Sequence, residues 1–335
     1  MLAQIIVFSV IKVKVIEYLE QTDRPFVSFE IIPPTRGGNA QDLLSLIDDL
    51  SKYRPPFVDV TSHASEVTYE ELPDGGIKRR IKRKRPGTLG VCAIIQHKYK
   101  IEAVPHVLCR GFTKEETEDF LIDLKYLGIQ NVLAIQGDNH AYQKPVGHNG
   151  RSINEFATNL VEQIANMNNG IYLDDEILDP EASNFCVGVA GYPEKHFEAP
   201  NLTMDINHTK QKVEAGGDYI VTQMFYNNKV YFNYVELCKK IGINVPIIPG
   251  LKILTKKFQL RSVPSRFMLD IPVELTEQVM KASEDEILDI GINWALKQVE
   301  ELIQFGVPGL HFYVINDSSA ISLLMEKLSN KLSIL

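Results

Sequence analysis

Eight short runs of apolar sequence, rich in β-branched residues, recur along the chain between segments whose apolar positions fall at helical spacing. The runs are FVSFE (26–30), FVDVT (57–61), VPHVLC (104–109), NVLAIQG (131–137), FCVGVAG (185–191), YIVTQMF (219–225), VPIIPG (245–250) and LHFYVI (310–315). They are almost continuously apolar, the pattern of strands buried on both faces of a parallel sheet. Between them, DLLSLIDDLSKY (42–53), TKEETEDFLIDLKYLG (113–128) and NWALKQVEELIQFG (293–306) read as amphipathic helices. The second opens on the capping-box pair Thr113 and Glu116 and stops at Gly128, and the third stops at Gly306. GTLGVCAIIQHKY (87–99) reads as the helix before the third strand.

Strands and helices in this alternation predict an α/β protein, a single-domain (β/α)8 TIM barrel rather than an open doubly wound sheet. Such a barrel takes about 250 residues, and 335 leave room for long loops after strands four and seven, residues 139–184 and 251–292. Loops after barrel strands lie on the catalytic face. The second is expected to carry helices and a lid-like loop. Residues 1–24 read as an N-terminal extension and helix, and 25–335 as the barrel. The apolar start MLAQIIVFSVI is too short to span a bilayer, lacks a basic leader region and a cleavage site, and runs into Lys12 and Lys14. The expectation is a cytoplasmic protein with no membrane partner.

Composition (44% hydrophobic, 23% charged) is that of a globular domain. A net charge of −8 argues against nucleic acid as the main partner. The basic run KRRIKRKRP, Lys78 to Pro86 with seven Lys and Arg through Arg85, reads as a solvated helix start or loop; a docking site for an anionic ligand is the sharper alternative. It holds no aromatic residue for base stacking. Cys92, Cys109, Cys186 and Cys238 form no C-x-x-C pair and read as free thiols. Neither H-x-H on a strand nor H-E-x-x-H occurs, so no metal is expected. Neither G-x-G-x-x-G nor a P-loop is present, so a redox cofactor would have to bind at the barrel mouth.

The C-terminal strand ends carry Glu30, Thr61, His106, Asp138, Tyr192, Gln223, the pair Pro249-Gly250, and Tyr313. Glu30 stands out, because a carboxylate between Phe29 and Ile31 is costly to bury as a charge.

Taken together, SFEIIPP, VDVTS, VPHVLC, AIQGD, GVAGYPEKH, VTQMFY, IIPGLKIL and LHFYVIN resemble methylenetetrahydrofolate reductase, in order, from about Phe26 to Asn316. The resemblance implies a catalytic barrel, without the regulatory domain of eukaryotic members. It implies FAD across the mouth, reduced by NADH or NADPH, which then passes hydride to 5,10-methylenetetrahydrofolate to give 5-methyltetrahydrofolate. It further implies a homo-oligomer in one-carbon metabolism and methionine biosynthesis.

By the same resemblance Glu30 is the general acid that opens the folate's five-membered ring, its pKa raised by desolvation. Asp138 is the second carboxylate, beside flavin and pterin. Gln223, Gln259 and Tyr313, with Asp138, face the substrate. Thr61, Ser62, His106, Gln136, Gly137, Asp138, Tyr192, His196, Ala199, Asp205, His208, Gln211 and Lys212 fall on flavin or nicotinamide positions, with Lys212 a partner for the FAD phosphates. The chain departs from the bacterial pattern at Gln136 and Gln211, where arginines are expected, and at His208, Val263 and Asp317. Lys144 or Arg151 are the cations expected to compensate. Two other readings stay open: a flavin barrel of the proline dehydrogenase kind, which would lack an acid on the first strand, and a non-catalytic protein binding RNA or other anions.

Overall fold

The computed structural model describes residues 13–21, 25–137, 150–315 and 317–332. In chain order these form α1 (Val15–Gln21), β1 (Phe26–Ile31), α2 (Ala40–Ser51), β2 (Phe57–Val60), β3 (Glu66–Glu71), β4 (Ile77–Lys82), α3 (Thr88–Ile94) and β5 (Glu102–Leu108). Then come α4 (Lys114–Tyr126), β6 (Asn131–Ile135), α5 (Ala157–Asn168), β7 (Cys186–Gly191), α6 (Leu202–Glu214), β8 (Tyr219–Thr222) and α7 (Asn228–Lys240). The chain continues through β9 (Ile247–Ile248), β10 (Gly250–Leu251), α8 (Gln259–Phe267), α9 (Val273–Lys281), α10 (Glu284–Phe305), β11 (Gly309–Ile315) and α11 (Ser319–Leu332).

Nine of the strands make one parallel sheet in the order β10-β11-β1-β2-β5-β6-β7-β8-β9. Only Pro249 separates β9 from β10, so the two ends of that order are halves of one stave and the sheet closes into an eight-staved barrel. Each of the eight apolar runs holds its strand, as expected for a (β/α)8 barrel. The capping box at Thr113 and Glu116 is formed, and Gly128 and Gly306 follow their helices at positive φ. Helix α3 is followed by a π-helical turn, Ile95–Tyr99, so the predicted 87–99 helix is real but changes pitch.

Alternation along each strand divides the core. Phe29, Ile31, Val58, Val60, Val107 and Val132 point outward and pack under the helices. Phe26, Phe57, Val104, Leu133, Tyr219 and Ile248 point inward and fill the lower half of the barrel. Helix α1 caps that lower end. Val15 is 1% exposed against the inward cluster, and its N–H donates to Asn131 Oδ1 at 2.8 Å. Burying a valine is worth about 1.5–3 kcal/mol, enough to hold a seven-residue helix that has no stability of its own. A third apolar cluster, with Val263, Leu275 and Ile287, ties α8, α9 and α10 to one another beside the mouth. These helices occupy most of the long loop after the seventh stave.

The basic run requires a correction. It is neither a helix start nor a loop over its first half. Ile77–Lys82 is β4, paired antiparallel with β3 in a separate two-stranded ribbon. Alternation across Pro73-Asp-Gly-Gly76 forms the hairpin, and β3 supplies acids opposite the bases: Glu70 lies in register with Lys78, and its carboxylate meets Arg80 at 2.6 Å. The four cysteines are buried free thiols.

Candidate functional site

The same alternation that puts Phe29 and Ile31 outward turns Glu30 into the barrel, at its C-terminal end. Its side chain is 13% exposed. Glu30 is in register with Asp59 on β2 on one side and with Tyr313 on β11 on the other. Its Oε2 lies 3.4 Å from His106 Nε2 and 4.0 Å from His311 Nε2. Beneath it, Asp59 is fully buried, 3.8 Å from His106 Nε2 and 3.9 Å from His311 Nδ1. His311 Nδ1 also shares a 2.9 Å hydrogen bond with Ser28 Oγ. Two carboxylates and two imidazoles thus meet inside the barrel. Burial pulls the His106 imidazole down, but Glu30 and Asp59 together more than reverse this and raise it above its ordinary value.

Around this cluster, the Tyr313 hydroxyl donates to the Thr222 carbonyl at 2.7 Å. Its phenol is pushed well up, first by burial and then by Glu30 and Asp59. Lys252 reaches the Tyr313 carbonyl at 3.3 Å, and burial brings its amine down to about 8 against the pull of Glu30. Gln223 Oε1 accepts from the Met224 N–H, whereas Gln259 Oε1 accepts from Thr255 N and Lys256 N. Gln259 is therefore built into the turn before α8, and only its amide nitrogen is left to meet a ligand.

A second group gathers at the ends of β5, β6 and β7. Gly137, two residues past the end of β6, has φ +89°, a conformation glycine adopts without strain. Arg110 N donates to the Gln136 carbonyl, and its guanidinium approaches Gly137 O at 3.4 Å and Glu198 at 2.7 Å. Tyr192 and His196 meet edge to face at 4.7 Å, and Lys212 lies 5.8 Å from the Tyr192 ring centre. Lys212 Nζ donates to the Ala190 carbonyl, and burial brings its amine down to about 8 despite Asp205. Asp205 accepts from His196 N at 3.1 Å, and its carboxyl is raised by burial against Lys212. Ala199, 5% exposed, accepts from Lys195 Nζ.

The remaining expected residues are dispersed. His208 and Gln211 are exposed on α6, while Asp205, Thr209 and Lys212 form its buried stripe. Val263 is buried among the α8–α10 side chains. Asp317 accepts from Ser319 N and starts α11. Asp138 and Lys144 lie outside the described residues, and Arg151 is exposed. The cation beside Gln136 and Gly137 is Arg110, which sequence reasoning did not single out.

The family model for methylenetetrahydrofolate reductase matches residues 14–329. The chain belongs to the methylenetetrahydrofolate reductase family. Methylenetetrahydrofolate reductase (NADH) 1 of Arabidopsis thaliana is 31% identical over 326 residues, covering 93% of this chain and 50% of the relative. The 5,10-methylenetetrahydrofolate reductase of Escherichia coli K12 is 28% identical over 292 residues, covering 87% of this chain and 86% of the relative. The chain spans about half the length of the plant and yeast relatives it matches. A solved structure of an uncharacterized Clostridium thermocellum protein, described as binding two copies of 5-methyl-5,6,7,8-tetrahydrofolic acid, superposes with a TM-score of 0.55. It covers 93% of this chain and 98% of that one at 14% identity, which supports the fold.

The rim of the mouth in this reductase-family barrel offers groups that a flavin dinucleotide could use. The Thr61 hydroxyl is buried and has no hydrogen-bond partner among the described residues. Arg110 and Lys195 bring positive charge to the ends of β5 and β7, and Gly137 opens the backbone between them. An unspent donor, a bare backbone turn and two cations suit a ligand with one flat polar ring and two phosphates. Asp59, His311 and Lys252 are the family-barrel residues that strand ends alone did not reveal. Inward parity finds the first two: each stands two residues before a strand-end candidate, Thr61 or Tyr313, on the same face.

Proposed function

We propose that the protein reduces 5,10-methylenetetrahydrofolate to 5-methyltetrahydrofolate, with FAD as the bound cofactor and NADH or NADPH as donor. The observation that carries this is Glu30: a carboxyl group turned into the mouth of a family barrel, with the His106 and His311 imidazoles at 3.4 and 4.0 Å. Ring opening needs an acid. The bond between the methylene carbon and one folate amine breaks, that nitrogen keeps the electron pair, and Glu30 gives it a proton. The carbon is left as a cation conjugated to the second nitrogen, and the Glu30 carboxylate then lies close to the positive charge it created. FAD, when bound, supplies the hydride that completes the methyl group.

Thr61, Gly137, Arg110 and the Tyr192–His196 pair would hold the flavin, with Ser62, Gln136, Ala199 and Asp205 lining the same side. Lys212 acts through Ala190 and Tyr192 to fix that wall rather than reaching a phosphate itself. Gln223, Gln259 and Tyr313 would orient the folate, and Asp138 is the second carboxylate of the proposal. An acid on β1 separates this reading from a barrel of the proline dehydrogenase kind. Acid–base balance within the β3–β4 ribbon argues against RNA binding. Arg83, Arg85 and Lys84 instead fasten the loops after β1 and β2, through His63 O, Pro33 O and Arg36 N. The reading carries a homo-oligomeric, cytoplasmic enzyme; no described helix is long and apolar enough to cross a membrane.

The test is an anaerobic absorption titration of the purified protein. Flavin bands should bleach on adding NADH and return on adding 5,10-methylenetetrahydrofolate. Failure to take up FAD, or bleaching with no return, would overturn the proposal.

A further inference from the structure

Asp59 has no place in the chemistry above, yet its setting is a demanding one. It is fully buried, and neither of its oxygens accepts a hydrogen bond from any described residue. A buried carboxylate without hydrogen bonds persists only beside a positive charge or as the neutral acid. The nearest nitrogens are His106 Nε2 at 3.8 Å and His311 Nδ1 at 3.9 Å. His311 Nδ1 is already shared with Ser28 Oγ. His106 Nε2 therefore faces both carboxylates, Glu30 at 3.4 Å and Asp59 at 3.8 Å.

We propose that Asp59 is a positioning residue for the acid: its carboxyl group, acting through His106, keeps one proton on the Glu30–His106 pair at neutral pH. The inference rests on the reading of Glu30 as proton donor. That one proton is shared between His106 Nε2 and Glu30 across 3.4 Å, so it passes from His106 to Glu30 and from Glu30 to the folate nitrogen. The pair then takes up one proton from water through the partly exposed Glu30 before the next turnover. One proton is consumed per folate reduced, and the pair changes only in protonation; the two electrons would come from the nicotinamide donor by way of the flavin.

The groups facing this pair are few. Ser28 and Glu30 come from β1, Asp59 from β2, His106 from β5, and His311 and Tyr313 from β11, with Lys252 beyond β10. Tyr219 on β8 and Cys92 on α3 also feel the Asp59 charge; burial raises both well above their ordinary values, so they stay neutral. The Lys252 amine titrates near 8 and is common to the parent and the variant.

The experiment compares the wild-type protein with Asp59→Asn in two readouts. Imidazole NMR of isotopically labelled histidine follows His106 without FAD or folate. Its titration should fall by about one to three pH units in the variant, the range for losing an opposite charge at this distance. Stopped-flow measurement over pH should then show the folate-driven step losing rate at correspondingly lower pH, while flavin reduction by NADH keeps its profile. An unmoved His106 titration overturns the inference whatever the enzyme does. A moved titration with no folate-driven step indicts the functional reading instead. If Asp59→Asn does not fold, the wild-type spectrum decides alone: an imidazolium at His106 persisting above pH 7 supports the proposal, and one lost below 6.5 overturns it.

Discussion

Gly250 sits where the barrel closes, and the structure states what a methyl group there would meet. A Cβ would lie 2.1 Å from the Thr222 carbonyl oxygen, 2.7 Å from Tyr313 Cε2 and 2.9 Å from the Tyr313 hydroxyl. The first is a backbone atom on the neighbouring stave and cannot rotate away, so Gly250→Ala must push β10 from β8. Overpacking of this kind costs about 1–3 kcal/mol. The Tyr313–Thr222 hydrogen bond would be strained or lost as well, leaving a buried phenol unsatisfied at about 1–3 kcal/mol. The two together predict a loss of roughly 2–6 kcal/mol, which for a domain of this size is a fall in Tm of about 5 °C or more. Thermal melts with equilibrium urea unfolding measure it. Adding Tyr313→Phe should give little rescue, since the carbonyl contact remains. A single variant melting within 2 °C of the parent, or full rescue by the second substitution, would show that the seam yields and refute the reasoning.

Three further outcomes are expected. Glu30→Gln should leave NADH-driven bleaching intact and slow the folate-driven return by about 10²–10⁴-fold, the usual share of a positioned acid; a loss under tenfold in stopped-flow would remove Glu30 from the role. Asn131→Ala deletes the buried acceptor for Val15 N and a donor to Val13 O. It should cost about 1–3 kcal/mol and expose α1 to limited proteolysis before the barrel unfolds; simultaneous loss of both would argue against a separable cap. His106 is raised by Glu30 and Asp59 against burial, so its folded value exceeds its unfolded one. Its contribution to stability is therefore full below about 6.5 and lost as pH rises through the folded value. The stability gap between wild type and His106→Gln should be wider at pH 6 than at pH 9, and chemical denaturation showing a constant gap would contradict this.

The barrel was legible because a parallel stave is apolar on both faces, so every strand announced itself as a short unbroken run. Glu30 was legible for the complementary reason: a charge in such a run has no bland place to go. The β3–β4 ribbon was missed because its charges masked its alternation. EVTYEE and IKRRIK pair acid with base across the turn, and the run was read from its bases alone. Asp59 and His311 are not legible from strand ends alone, although parity carries the same face two residues deeper. The role of α1 was not legible at all. Seven residues with one buried valine look like any surface helix until eight staves supply the hole that Val15 fills. Nor did any local signal mark Arg110 as the cation beside Gln136, since the two meet only through pairing of β5 with β6.

The distance along the chain between partners in the acid cluster has a consequence for how the protein is made. Ser28 and His311 are 283 positions apart, and β1 finds its second neighbour only when β11 has left the ribosome. Until then β1 lacks one of its two neighbours, and the pocket that buries Glu30 and Asp59 is incomplete. Dehydration of both carboxylates and delivery of the second imidazole happen in the same closing event. A chain halted short of β11 would hold most of its helices and staves and yet lack His311, so the acid cluster is completed in one late step rather than by degrees.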